Sequence, residues 1–164
     1  MPRHHHSLFR EGLIAGAIGA AAVAAWFLLT DLIQGRPLAT PHVLGQVILY
    51  GNSSPVVTPV TPGPVIAYTL LHLGAFALFG IIITQLVHLA MSSPLARFGL
   101  MMVAVVFEVF ALIMLYAAFH ATSFLFPWWS VLAANSLALL SMGWYLKRSH
   151  PGLRHQYEKE PLGG

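Results

Sequence analysis

Residues 98–126 read FGLMMVAVVFEVFALIMLYAAFHATSFLF. The run is apolar almost throughout, yet Glu108 sits inside it and His120 near its far end. A helix rises 1.5 Å per residue, so about 20 apolar residues cross the roughly 30 Å of a bilayer's hydrocarbon. This run is longer than that. A carboxylate at the centre of a spanning helix costs at least ~2.5–3.5 kcal/mol, so Glu108 is expected to face protein or water rather than lipid. The remaining helices are then expected to shelter it.

The whole chain has the composition that such a helix needs around it. Of its 164 residues, 57% are hydrophobic and 8% charged, against about 25% charged in a soluble domain. No Asp, Glu, Lys or Arg occurs from residue 37 to residue 96, and from 98 to 146 the only one is Glu108. A lipid-facing surface can be built from that, and a water-facing one cannot. The pI near 9.6 does not imply a nucleic-acid partner, because the few basic residues flank apolar runs, where membrane orientation explains them. With no cysteine, disulfides, thiolate metal sites, Cys-ligated iron–sulfur clusters and thiol catalysis are excluded.

Working outward, three further spans are expected, giving four in all: 12–33, 65–91, 98–122 and 128–146. The first is preceded by a basic terminus and contains Ala22-Val23-Ala24, features of a cleavable signal. Its apolar run continues through Trp26-Phe27-Leu28-Leu29, however, which predicts a retained helix. Gly12, Gly16 and Ala20 recur every four residues on it, a spacing that lets helix backbones approach closely. Residues 34–64 form the long connection and hold six of the eleven prolines. Within it, Thr40-Pro41 resembles an N-cap with proline at the first helical position, and Gly51 a C-terminal stop. Val43, Leu44, Val47 and Ile48 would make the apolar face of a short interfacial helix, with His42 and Gln46 turned elsewhere. Trp128-Trp129 and Trp144-Tyr145 fit the two aromatic belts of the last span, and residues 147–164 read as a polar tail.

Charge sets the orientation. Arg3, Arg10, Arg97, Lys147, Arg148, Arg154 and Lys159 fall on one side and Arg36 alone on the other. Positive residues stay inside, which predicts cytoplasmic termini in a bacterial inner membrane. The expected fold is therefore an all-α, antiparallel four-transmembrane-helix bundle with a short interfacial helix in its first extracytoplasmic loop, a single domain.

Threading the spans this way puts polar side chains at two depths. Asp31, His72, His120 and Asn135 fall toward the outside, and Glu108, Thr84, Gln85, His88 and Ser141 toward the inside. His72 and His120 on different helices at similar depth are what bis-histidine ligation of haem b, or binding of a single metal ion, requires. Interhelical hydrogen bonding accounts for the same residues without a cofactor. Glu108 reads either as a carboxyl bonded to Thr84, Gln85 or Ser141, or as part of a proton or ion path. Asp31 closes the first span near the interface, where solvent can take its carboxylate. Glu108 and His120 lie about 120° apart around their helix and are not expected to share a site. The His4-His5-His6 run reads as a solvated tail or a weak metal-binding tract, and the 150–155 segment as solvated tail. No P-loop, GxGxxG, GxSxG or HExxH is present.

Three functions follow as expectations. The first is a non-catalytic accessory subunit of a larger, energy-converting or transporting membrane complex, with lipid and other membrane subunits as partners. The second is a haem- or metal-binding redox module using His72 and His120. The third is proton or ion translocation through Glu108.

Overall fold

A computed structural model describes residues 8–90, 94–122 and 127–150, with side chains throughout except at 94–97, 114–115 and 117–121. It is all-helical among these residues: α1 (Leu8–Ile33), α2 (Ala39–Tyr50), α3 (Pro62–Ala90), α4 (Pro94–Thr122) and α5 (Trp128–Ser149). Two of them, α1 and α3, are long and apolar enough to cross a membrane. In α4 a shorter apolar stretch, Phe98–Ile113, meets the same composition.

The helices start where proline permits. Pro62 and Pro94 open α3 and α4, and a proline in the first turn gives up an N–H that has no intrahelical acceptor. The four long helices close a ring of contacts in which α1 packs on α3 and α5, and α4 packs on the same two from the far side. α1 runs antiparallel to α3, since Glu11 meets His88 and Ala20 meets His72. It runs antiparallel to α5 as well, since Trp26 Nε1 donates to Ser130 Oγ at 2.9 Å while Glu11 lies beside His150.

The α1–α3 crossing brings backbone against backbone. A Cβ on Gly12 would lie 2.6 Å from the Ile81 Cα, and one on Gly80 would lie 2.7 Å from the Gly16 Cα. Gly12, Gly16 and Ala20 therefore pack within the chain, and Gly80 is the partner that the one-helix pattern did not show. Ala15, Ala134 and Ala138 are fully enclosed between α1, α3 and α5, with Met142 the largest side chain buried among them. Phe107 of α4 closes over it, stacked on Phe79 with ring centroids 4.1 Å apart.

α2 buries His42 and Gln46 alongside Val43, whereas the sequence expectation turned the two polar residues away from the apolar face. Its buried residues are Ala39, Thr40, His42, Val43, Gly45 and Gln46, while Ile48, Leu49 and Tyr50 are exposed. The polar face turns inward because its partners are there. Gln46 donates to the Val56 carbonyl at 2.8 Å and accepts from Val56 N–H at 3.2 Å, and His42 Nε2 lies 3.1 Å from Thr61 Oγ1. The helix N-terminus also differs. Leu38, in the left-handed region, precedes it without a side-chain cap. Asp31 supplies the cap from nine residues earlier, accepting Thr40 N–H and Thr40 Oγ1–H, both at 2.8 Å. Gly51 ends α2 at φ 63°, with its N–H returning to Val47, as the sequence predicts for a left-handed stop.

Candidate functional site

Buried polar groups gather at three places. The first lies where α2 meets the end of α1. Asp31 is 3% exposed there, not solvated, and its two bonds to Thr40 make it a structural clamp.

The second is midway along α4. Ser136 Oγ donates to Glu108 Oε1 at 3.2 Å, and Asn135 adjoins the same carboxylate. Glu108 Oε2 and Asn135 Nδ2 are both buried with no aligned hydrogen-bond partner. The carboxylate thus meets α5 and not the groups the depth count offered. Gln85 is exposed, Ser141 Oγ returns to the Leu137 carbonyl at 2.7 Å, and Thr84 is wholly buried with an unpaired hydroxyl. Ser136, its actual donor, neighbours Asn135 in sequence and was not singled out.

His72 lies on α3 with Nε2 3.2 Å from the Ala20 carbonyl and its ring 4.7 Å from Phe76. That nitrogen joins α3 to α1. The side chain of His120 lies outside the described residues, so the His72–His120 pair has no described geometry.

The third group is at the end where α1 starts and α3 and α5 finish. Glu11 is in the first turn of α1, His88 in the last turn of α3, and His150 caps α5. His88 Nε2 is 3.2 Å from Glu11 Oε2 and 3.0 Å from His150 Nε2. His150 Nδ1 is 3.1 Å from the Leu146 carbonyl and 3.2 Å from Glu11 Oε1. Glu11 is 7% exposed, His150 10% and His88 33%, so the group is enclosed by protein but reachable along His88. Among the described residues these three can offer one ligand atom each to a common metal ion, the atoms all lying within 4.8 Å of one another.

Sequence reasoning missed this constellation. Glu11 next to Arg10 resembles an interfacial charge, and His150 at the start of a polar tail resembles a solvated one. A signal was present all the same. In an up-and-down topology the first turn of α1 and the last turns of α3 and α5 share one end, so counting ends would have grouped the three.

The chain matches no family model, no curated protein and no solved structure.

Proposed function

We propose that this is a polytopic membrane protein in which all four long helices cross a bacterial inner membrane, with both termini cytoplasmic. In that membrane it acts as a non-catalytic accessory subunit held through α4 to a larger assembly. The small-residue face of α1 is not open to a partner, because α3 of the same chain occupies it. α4 offers an open face instead. Among its described side chains only Thr122 is buried, and Met101, Val105, Val106, Val109, Phe110 and Ile113 are each at least half exposed. This is the observation that carries the proposal. A surface apolar over a whole helix needs lipid or another apolar helix against it.

The absence of cysteine makes both parts testable with single-cysteine variants. Ser53→Cys and Pro127→Cys should react with an impermeant maleimide from outside, and Ser149→Cys only after permeabilisation. Labelling of the 127 position from the cytoplasmic side would refute four crossings. A photo-crosslinker at Phe110 should capture a discrete membrane protein, and one at Leu70 of α3 should not. A freely migrating monomer that crosslinks to lipid alone would refute the accessory role.

A second reading has its own observation, the unpaired Glu108 Oε2 beside the unpaired Asn135 Nδ2. An ionisable group inside a membrane with one oxygen lacking an aligned partner is a candidate for proton or ion transfer. Proteoliposome flux that is unchanged by Glu108→Gln would dismiss it.

A further inference from the structure

We propose that Glu11, His88 and His150 form a binding site for one late first-row divalent metal ion, Zn²⁺ in the first instance, at the shared end of α1, α3 and α5. The site would tie three helix ends together and keep one coordination position open toward the half-exposed edge of His88.

Proton bookkeeping points there first. Both neighbours of His150 Nδ1, the Leu146 carbonyl and Glu11 Oε1, are acceptors, so that nitrogen carries the proton in the neutral ring. His150 Nε2 then presents a lone pair to the cluster. A ring whose far nitrogen donates to a backbone carbonyl is the arrangement that fixes tautomer and orientation in metal-bound histidine. His88 Nε2 now faces two acceptors, Glu11 Oε2 and His150 Nε2, and as a donor it has one proton for both. Charging His150 only moves the shortage. Its Nε2–H would satisfy His88, whose lone pair would then face the Glu11 carboxylate. A cation at the centre removes the conflict, because three lone pairs then converge on a positive charge.

Spacing agrees. Metal–ligand bonds of about 2.0–2.1 Å at tetrahedral angles put ligand atoms about 3.3 Å apart. The two closest pairs stand 3.2 and 3.0 Å apart, within a few tenths of an ångström. Glu11 Oε1, buried and without an aligned hydrogen bond, is available as a second carboxylate contact. Two imidazoles and one carboxylate select Zn²⁺, Co²⁺, Ni²⁺ or Cu²⁺ over Mg²⁺ or Ca²⁺, which favour all-oxygen shells. Three protein ligands with a fourth position open is the pattern of a reactive or exchanging site, not of a closed structural one.

The full chain, purified in mild detergent and stripped with chelator, is titrated with Co²⁺ followed by its visible absorption, then competed with Zn²⁺. One equivalent should bind. Glu11→Gln, His88→Gln and His150→Gln should each weaken binding by more than the ~10–100-fold that losing a mere supporting partner costs. A His72→Ala variant, and a variant with His4, His5 and His6 all replaced by Ala, should keep the site. Absence of stoichiometric binding, full affinity in His88→Gln or His150→Gln, or loss of binding with the His4–His6 run would overturn the proposal. Should a site variant fail to fold, the wild-type chain still decides. Zn²⁺ should protect His88 and His150, and not His5, from diethyl pyrocarbonate when peptides are read by mass spectrometry. Equal modification with and without Zn²⁺ would likewise overturn it.

Discussion

Replacing Gly80 with alanine tests the α1–α3 crossing on which the Glu11–His88 and His72–Ala20 contacts depend. The new Cβ would lie 2.5 Å from Gly16 N and 2.7 Å from Gly16 Cα, whereas carbon atoms pack comfortably at about 3.5–4.0 Å. These atoms and the Gly12 carbonyl oxygen, which also obstructs, are all backbone, so no rotamer change relieves the clash, and the helices must part by about 1 Å. Overpacking of this kind costs ~1–3 kcal/mol. The same movement stretches the His88–Glu11 and His72–Ala20 contacts, each 3.2 Å, past the range of a hydrogen bond. At ~0.6 kcal/mol for an average membrane hydrogen bond, that adds about 1 kcal/mol. Alanine returns ~0.5–1 kcal/mol of helix propensity over glycine. The net loss is about 2 kcal/mol. Gly74 lies on the same helix with nothing within 4 Å of a built Cβ, so Gly74→Ala keeps only the propensity gain and should be neutral or slightly stabilising. Unfolding in mixed micelles, followed by far-UV circular dichroism as SDS is raised, compares the two alanines directly. If they fall within about 0.5 kcal/mol of each other, the close crossing is wrong, and with it the approach of Glu11 to His88.

Other outcomes follow from the same geometry. Asp31→Asn keeps the shape but leaves one oxygen to accept the two Thr40 protons, which should cost ~1–3 kcal/mol; hydrogen exchange should rise over 39–50 and not over 12–25, and a uniform rise would contradict the clamp. Gln46→Leu strands the Val56 N–H and carbonyl, at ~1–3 kcal/mol for each unsatisfied group, so limited proteolysis should find the 51–61 segment several-fold faster, and unchanged cleavage would refute its role.

Much of the helical outline is legible without coordinates. The runs at 12–33, 65–91, 98–122 and 128–146 are helical, as α1, α3, α4 and α5, within a few residues at each end. Long apolar runs, the prolines that open helices and the glycine that ends α2 are local signals, and local chemistry sets them. Periodicity gives the face of α2 only in part: Val43 is buried, but His42 and Gln46 are buried with it and Ile48 is exposed. Periodicity finds a core only when the surroundings are polar, and for His42 and Gln46 the nearest polar partners, Thr61 and Val56, lie inside.

What the sequence by itself determined is how long each helix is, where it breaks, and that the surface is apolar. What only the tertiary structure decided is rotation. Outward-facing and helix-facing positions are equally apolar, so no contrast along a single helix says that Glu108 turns to Ser136 rather than Thr84, or that Gly80 receives Gly16. The same holds for Glu11, His88 and His150, which lie 77 and 62 residues apart in pairwise contact. Each on its own looks like a solvated helix end, and only the antiparallel return of α3 and α5 to the start of α1 makes them neighbours.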